Sequence, residues 1–139
     1  MKALIAEDSR LLRRWQAHIL AQVGVTQIVE TGSVRDALEQ YTASPPDLAF
    51  IDLELPDGTG SDLVHELRWR GAVCPIFLLV AHATQRRLLW QGMLAGGNDY
   101  LTKPVNPECL REKLSKFVAP SSLEPSLYRE DAGLRAKSP

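Results

Sequence analysis

Four charged residues that lie far apart in the 139-residue chain have the types needed for phosphoryl chemistry, namely Glu7, Asp8, Asp52 and Lys103. Carboxylates a few ångströms apart raise one another's pKa or recruit a cation, and hard oxygen ligands suit Mg²⁺. An ammonium group beside them pairs with an aspartate or with anionic oxygens bound to it. Brought together, these groups would let Asp52 act as a nucleophile that accepts a phosphoryl group.

The elements that must position these residues follow from the hydrophobic pattern. Short apolar runs alternate with stretches of helical periodicity, which predicts five strands and five helices. The predicted strands are residues 3–6, 28–29, 47–52, 75–81 and 99–102. Two predicted helices follow the cap residues Ser9 and Ser33, and three more occupy about residues 60–70, 84–95 and 107–118. On the first helix, Arg13, Arg14 and Gln16 are expected to face outward.

Strict alternation of apolar strands with helices calls for a parallel sheet with right-handed crossovers and helices on both faces. The predicted fold class is α/β, a doubly wound (βα)5 sandwich of three layers. Ligands of such sheets bind outside the carboxyl ends of the strands. Glu7 and Asp8 follow the first predicted strand, Asp52 ends the third and Lys103 follows the fifth. The four side chains are therefore expected at one edge of the sheet.

Four sequence features in this order resemble the receiver domain of two-component response regulators, the CheY-like family, over about residues 1–119. They are the acidic pair Glu7-Asp8, the run Phe-Ile-Asp-Leu-Glu-Leu-Pro-Asp-Gly over residues 50–58, Tyr100 three residues before Lys103, and the dipeptide Lys103-Pro104. The resemblance implies a flavodoxin-like fold with a five-stranded sheet in the order 2-1-3-4-5.

The resemblance also assigns roles to individual residues. It implies that Asp52 is the phosphoacceptor, that Asp8 and Asp52 bind Mg²⁺ directly, that Glu7 acts mainly through water, and that the backbone carbonyl of Glu54 is a further ligand. Lys103 would hold a phosphoryl oxygen, and its peptide bond to the following proline is typically cis in this family. The phosphoryl donor would be a sensor histidine kinase or a phosphotransfer protein. The expected chemistry is the gain and loss of a phosphoryl group on Asp52, without turnover of a separate substrate.

Two departures from the family pattern concern the response of the domain to phosphorylation. The fourth strand of a receiver normally ends in Ser or Thr, whose hydroxyl reaches the phosphoryl group and lets Tyr100 swing inward, but Val80 and Ala81 have no hydroxyl. The loop that follows is one residue longer than usual, so Thr84 is a candidate replacement. Glu54 adds a carboxylate beside the acceptor and is expected to change the lifetime of the phosphoryl group.

Composition and charge exclude several classes of protein. Hydrophobic residues make up 45% and charged residues 24%, which is typical of a globular domain. The 16 basic and 17 acidic residues give a net charge of -1, which disfavours general binding to nucleic acid or to an anionic membrane. No apolar run reaches the ~18 residues of a membrane span, and the N-terminus does not read as a secretory signal. We therefore expect a cytoplasmic protein, with Cys74 and Cys109 as reduced structural thiols.

The composition changes at Pro120, which predicts a receiver domain over residues 1–119 and a flexible Pro/Ser-rich tail over residues 120–139. No output domain is evident in the tail, so a stand-alone receiver that signals by contact with an unknown downstream protein is expected. A homodimer through the fourth and fifth helices is a further expectation, because Arg86 and Arg87 offer charges to acidic residues of a second copy.

Two other functions compete with the phosphorylated receiver. The first is a binding module that keeps the receiver shape without phosphorylation, a hypothesis that Val80 motivates. The second is a phosphohydrolase of the haloacid dehalogenase type, because the run Asp52-Leu53-Glu54 imitates the D-x-D motif of that family. That motif normally follows the first strand, whereas Asp52 ends the third, so the second alternative is disfavoured.

Overall fold

The central sheet consists of five parallel strands in the order β2-β1-β3-β6-β7, in a computed structural model that describes residues 1–123. The strands along the chain are β1 (Lys2–Ala6), β2 (Gln27–Thr31), β3 (Leu48–Asp52), β4 (Glu54–Leu55), β5 (Gly58–Thr59), β6 (Ile76–Val80) and β7 (Asp99–Thr102). The short strands β4 and β5 form a separate antiparallel hairpin. The predicted flavodoxin-like fold and its strand order are confirmed, with β6 and β7 as the fourth and fifth strands of the sheet.

Five helices cover the two faces of this sheet and make the three layers. They are α1 (Arg10–Gln22), α2 (Val34–Ala43), α3 (Gly60–Trp69), α4 (Arg86–Ala95) and α5 (Pro107–Leu114). Apolar residues of α1 and α5 belong to the core cluster on one face, whereas those of α2, α3 and α4 pack into the cluster on the other face. Successive strand residues alternate between the two clusters, as Leu78 and Leu79 do.

Both faces of the inner strands are buried, which explains why their sequences are apolar without interruption. Every residue of β3 and β6 is buried, including the polar Asp52 at the end of β3. On the face covered by α1 and α5, the rings of Phe50 and Phe77 stack with centroids 5.2 Å apart, and Phe117 meets Phe77 edge-on at 5.4 Å. This packing holds β3 rigidly beneath its terminal aspartate.

Three elements have a boundary that differs by two residues or more from the sequence prediction. β2 covers Gln27–Thr31 instead of two residues, because it pairs along the whole of β1 from Lys2 to Ala6. A 3₁₀ turn over Ala83–Gln85 precedes α4, so that helix begins later than predicted. The helix α5 ends at Leu114 instead of residue 118. After its end the chain makes a tighter turn, in which the Phe117 N–H donates to the Leu114 carbonyl.

The hairpin of β4 and β5 was not predicted, since its strands of two residues are too short to show a period. The described part of the chain enters the predicted tail by four residues. Pro120–Ser122 form a 3₁₀ turn and Leu123 packs against the core, while residues 124–139 of that tail lie outside the described residues. Within residues 1–123, none of the helices has the length and apolar character needed to cross a membrane.

Candidate functional site at the carboxyl edge of the sheet

Three carboxylates meet where β1 and β3 end. Glu7 follows β1 directly, Asp52 is the last residue of the neighbouring β3, and Ala6 pairs with Ile51 in register. One carboxylate oxygen from each of Glu7, Asp8 and Asp52 lies within 4.8 Å of the others. Glu7 and Asp52 are buried and Asp8 is exposed, so the cluster opens to solvent on the side of Asp8.

Lys103 supplies an ammonium group to the same cluster. It follows β7, and its backbone N–H donates to the Val80 carbonyl at the end of β6 at 2.8 Å. Its Nζ lies 3.1 Å from Glu7 Oε1 and 2.9 Å from Asp52 Oδ2. The Lys103–Pro104 peptide bond is cis, as the resemblance implies. The structure thus brings together the four residues that the sequence analysis selected.

The charges of this cluster are unbalanced. Burial raises the pKa of Asp52 to about 7, and the hydrogen bond to Glu7 adds to this effect, while Lys103 opposes it. Burial also acts to raise the pKa of Glu7, but hydrogen bonds with Asp52, Gln16 and Lys103 outweigh it and leave that pKa below its usual value. For Lys103, the two carboxylates outweigh burial and raise its pKa. Two buried carboxylates therefore share one ammonium group, and a further cation would relieve their repulsion.

Gln16 is a site residue that the sequence analysis missed. It was predicted to face outward, and this was wrong: it is buried, and its Nε2 donates to Glu7 Oε1 at 3.0 Å. The Ser9 N–H donates to the other oxygen, Glu7 Oε2, at 3.2 Å. Both oxygens of Glu7 are therefore held. The helical spacing contains the signal, because Gln16 lies three and four residues before the buried Ile19 and Leu20 and thus on their face.

The backbone of Asp52 is positioned by a close approach of α3. The N–H of Gly60, the first residue of α3, donates to the Leu53 carbonyl at 2.9 Å. A Cβ atom at this position would lie 2.5 Å from the Asp52 carbonyl oxygen, so any other residue would push the end of β3 away from α3. The sequence analysis did not single out Gly60.

Asp57, in the turn of the β4–β5 hairpin, joins the segment after Asp52 to α2. Its two carboxylate oxygens accept the N–H groups of Val34 and Arg35 at 2.7 and 2.9 Å. These two hydrogen bonds, that of Arg35 first, lower the pKa of Asp57 below its usual value. The aspartate in the turn of this hairpin thus also caps a helix N-terminus.

The predicted switch residues lie on the neighbouring strands β6 and β7. Val80 ends β6 and is buried, so no hydroxyl is present at this position. The Tyr100 side chain is 41% exposed, and Lys113 Nζ lies 4.2 Å above its ring. Thr84 is exposed, and the side chain that turns inward from the loop after β6 is Gln85, whose amide contacts the Glu54 carboxylate. The Glu54 side chain lies outside the cluster of three carboxylates.

The sequence of the chain matches the family model of the response regulator receiver domain over residues 3–115. The chain belongs to the response regulator receiver family. Phosphorylation of an aspartate is the known mechanism of this family. Such domains act in two-component signalling, where histidine kinases or phosphotransfer proteins supply the phosphoryl group.

Individual relatives agree with the family. The receiver domain is 37% identical over 129 residues to the two-component response regulator PhoP of Pseudomonas aeruginosa, covering 88% of this chain and 53% of PhoP. It is 30% identical over 136 residues to the transcriptional regulatory protein PdtaR of Mycobacterium tuberculosis, covering 98% of this chain and 62% of PdtaR. The chain therefore spans only part of the length of these relatives.

Solved structures agree as well. The chemotaxis response regulator CheY4 of Vibrio cholerae superposes with a TM-score of 0.74 at 26% identity, covering 84% of this chain and 98% of CheY4. The alignment thus extends over almost the whole of a CheY-type domain.

The donor set of this receiver domain fits a magnesium ion. All three groups are carboxylates, which are the hard oxygen ligands that Mg²⁺ prefers. One oxygen from each carboxylate lies within 4.8 Å of the others, which is close to the spacing of about 4.2 Å between opposite oxygens around one Mg²⁺. The exposed Asp8 leaves an open side for water and for the oxygens of a phosphoryl group.

Proposed function

We propose that this receiver domain accepts a phosphoryl group on Asp52 from a sensor histidine kinase or a phosphotransfer protein, in a reaction that depends on Mg²⁺. The observation that carries the proposal is the contact of Lys103 Nζ with Asp52 Oδ2 at 2.9 Å beside two further carboxylates. A nucleophilic carboxylate, an ammonium group and oxygen ligands for a divalent ion are the components that phosphoryl transfer requires.

The transfer step follows from the chemistry of these groups. An Asp52 carboxylate oxygen attacks phosphorus, the new O–P bond forms as the N–P bond of a phosphohistidine donor breaks, and the leaving imidazole takes up a proton. The ammonium group of Lys103 can move its contact from the Asp52 carboxylate to an oxygen of the arriving phosphoryl group, as the negative charge shifts there. Glu7, Asp8 and Asp52, with the Glu54 carbonyl, would hold Mg²⁺, which when bound neutralises negative charge on the phosphoryl oxygens.

The buried position of Asp52 supports its role as the nucleophile. Its side chain is 5% exposed and contacts only one positive charge among the described ion pairs, so its carboxylate is poorly solvated and its pKa is raised to about 7. A carboxylate that is held by Lys103 and stripped of water is oriented for attack. The gain and loss of the phosphoryl group at Asp52 is the only covalent chemistry that we assign to this domain.

The decisive experiment is intact-mass measurement of the full chain after incubation with Mg²⁺ and phosphoramidate or acetyl phosphate. We expect the mass of one phosphoryl group on the wild-type chain and none on Asp52→Asn. The matched control is Asp36→Asn, which removes an exposed carboxylate from α2 and should gain the same mass as the wild type. A wild-type chain without added mass, or an addition that survives Asp52→Asn, contradicts the proposal.

Signalling by contact with a downstream protein and dimerisation through α4 and α5 are finer parts of this proposal. Arg86 and Arg87 are exposed at the start of α4 and are available to acidic groups of a second copy. Light scattering before and after phosphodonor treatment tests the dimer. The stand-alone arrangement stays a prediction, which the intact mass of the protein isolated from its source would test.

A binding module that works without phosphorylation is the second candidate, and the buried Val80 favours it. Without a hydroxyl at the end of β6, the domain lacks the donor expected to convert phosphorylation into movement of Tyr100. Such a module would bind its partner equally well with Asp52→Asn. Loss of signalling in cells that carry Asp52→Asn would exclude this candidate.

A further inference from the structure

Gln85 is a buried glutamine whose side-chain amide uses both of its ends. Only 8% of the residue is exposed, although it lies in the loop between β6 and α4. Its Oε1 accepts the N–H groups of Ala81 at 2.7 Å and His82 at 3.3 Å. Its Nε2 donates to Glu54 Oε2 at 2.9 Å. One side chain thus fastens two separate loops.

The two loops leave the sheet from neighbouring strands. Glu54 lies two residues after Asp52, which ends β3, and Ala81 directly follows Val80, which ends β6. Since the strands pair in parallel with Asp52 opposite Leu79, both loops begin at the same edge. The Gln85 bridge therefore spans the gap between β3 and β6 on the side where the Asp52 side chain emerges.

The bridge also fixes the position of a negative charge. Glu54 is otherwise an exposed residue, and its carboxylate would be free to move into solvent. The hydrogen bond from Gln85 holds it between the loops that follow β3 and β6, at the edge of the sheet where Asp52 lies. There its negative charge repels an anionic phosphodonor and an attacking water molecule or hydroxide. At the same time, the Ala81 N–H is committed to Gln85.

We propose that Gln85 is a positioning residue for the reaction at Asp52, and that its bridge to Glu54 slows both the arrival and the hydrolytic loss of the phosphoryl group. This inference rests on the proposed function. A phosphoryl group carries about two negative charges. The Gln85 bridge keeps the Glu54 carboxylate at the same edge of the sheet as these charges, where it opposes the approach of an anionic donor and of an attacking hydroxide.

The test compares rate constants for phosphoryl gain from phosphoramidate and for phosphoryl loss after the donor is removed, measured by intact mass on the full chain. Gln85→Ala removes both ends of the bridge. Gln85→Glu keeps an oxygen for the Ala81 and His82 N–H groups but adds a second carboxylate beside Glu54, so it is used only to test the contacts with those two N–H groups. Glu54→Ala breaks the link from the other side. Gln91→Ala, at an exposed glutamine on α4, is the matched control.

We expect Gln85→Ala and Glu54→Ala each to raise both rate constants by about three- to tenfold, which is the rate change that corresponds to the loss of one hydrogen bond. The double variant Gln85→Ala with Glu54→Ala should be no faster than either single variant, because one interaction is removed in each case. Gln91→Ala should behave as the wild type. Amide hydrogen exchange of Ala81 and His82 should speed up in Gln85→Ala and stay slow in Gln85→Glu.

Two results would overturn the inference while the proposed function stands. One is a Gln85→Ala variant with wild-type rate constants, since Gln85 would then only cap the loop after β6. The other is a double variant whose effects multiply. A wild-type chain that gains no phosphoryl mass contradicts the proposed function itself, and the role of Gln85 falls with it.

Discussion

The ammonium group of Lys103 lies 2.9 Å from Asp52 Oδ2, although the two residues are 51 positions apart in the sequence. The same Nζ lies 3.1 Å from Glu7 Oε1, and all three side chains are almost fully buried. Removing one partner of a buried ion pair is costly because the other charge is left without compensation. We therefore expect Lys103 to stabilise the metal-free domain and, under the proposed function, to balance charge in the transfer step.

Replacing Lys103 by Met should lower the free energy of unfolding of the metal-free protein by about 3 kcal/mol. It should also slow phosphorylation by phosphoramidate about tenfold or more, because the transferring oxygens lose a positive charge. Denaturant unfolding and the time course of intact mass measure the two effects. The control Lys116→Met, at an exposed lysine, should change neither. Wild-type kinetics in Lys103→Met would show that this lysine does not act on the phosphoryl group.

Asp52 should make the metal-free domain less stable as the pH rises. Burial raises its folded-state pKa to about 7 from an ordinary value of 3.8, so its favourable contribution is complete below the ordinary pKa and is lost as the pH rises through 7. Asp52→Asn should therefore stabilise the protein in EDTA more at pH 8 than at pH 5, by about 2 kcal/mol. Urea unfolding at both pH values measures this difference.

Asp57 provides a control of opposite sign. Hydrogen bonds from the Arg35 and Val34 N–H groups lower its pKa, so its contribution to stability is present above the unfolded pKa and is lost as the pH falls through the folded value. Asp57→Asn should therefore destabilise the protein at neutral pH and have less effect in acid. Equal pH profiles for Asp52→Asn and Asp57→Asn would contradict the assigned environments.

The sheet could be predicted from sequence because each inner strand is apolar on both faces. Such runs leave few alternatives to a parallel sheet covered by helices, and the acidic residues after β1 and β3 then must meet. The β4–β5 hairpin and the 3₁₀ turn before α4 could not be predicted in this way. They are shorter than a hydrophobic period, and they depend on contacts such as that of Gln85 with Glu54.

The charged residues of the site were predictable and the neutral ones were not. Glu7, Asp8, Asp52 and Lys103 are conspicuous because charged groups need a reason to follow buried strands. Glutamine gives no such signal, since it is common on exposed helix faces. Gln16 was placed outward for this reason, although its spacing from Ile19 and Leu20 marks the buried face.

Asp8 should control magnesium affinity with little effect on the fold. It is the exposed member of the three carboxylates, so its charge is solvated in the metal-free protein. Asp8→Asn should weaken Mg²⁺ binding about tenfold or more in isothermal titration calorimetry. The control Asp36→Asn removes a carboxylate outside the cluster and should bind as the wild type does. Unchanged affinity in Asp8→Asn would remove this residue from the ligand set.

Gly60→Ala should destabilise the domain by about 2–4 kcal/mol, because the new Cβ meets backbone atoms that have no room to move. The neighbour is the Asp52 carbonyl oxygen at 2.5 Å, so the acceptor should be displaced and phosphorylation slowed as well. Gly58→Ala is the matched control, since its Cβ approaches only side chains, those of Asp62 at 3.2 Å and Val34 at 3.3 Å. Thermal unfolding and intact mass measure both variants, and equal behaviour of the two would contradict this account.

Val80→Thr should restore the response of Tyr100 to phosphorylation. Threonine has nearly the same shape as valine, but its hydroxyl can donate to a phosphoryl oxygen on Asp52. Before phosphorylation the variant should be less stable by about 1–2 kcal/mol, because the hydroxyl is buried without that partner. After phosphodonor treatment, the Tyr100 ring, which is 41% exposed, should become less accessible in Val80→Thr than in the wild type, as measured by NMR of the labelled ring. Val80→Ala is the control, because alanine has neither the hydroxyl of threonine nor the methyl groups of valine. It therefore shows the effect of lost packing alone. If Val80→Ala moves Tyr100 as Val80→Thr does, the size of the side chain at position 80 controls the movement and the hydroxyl does not.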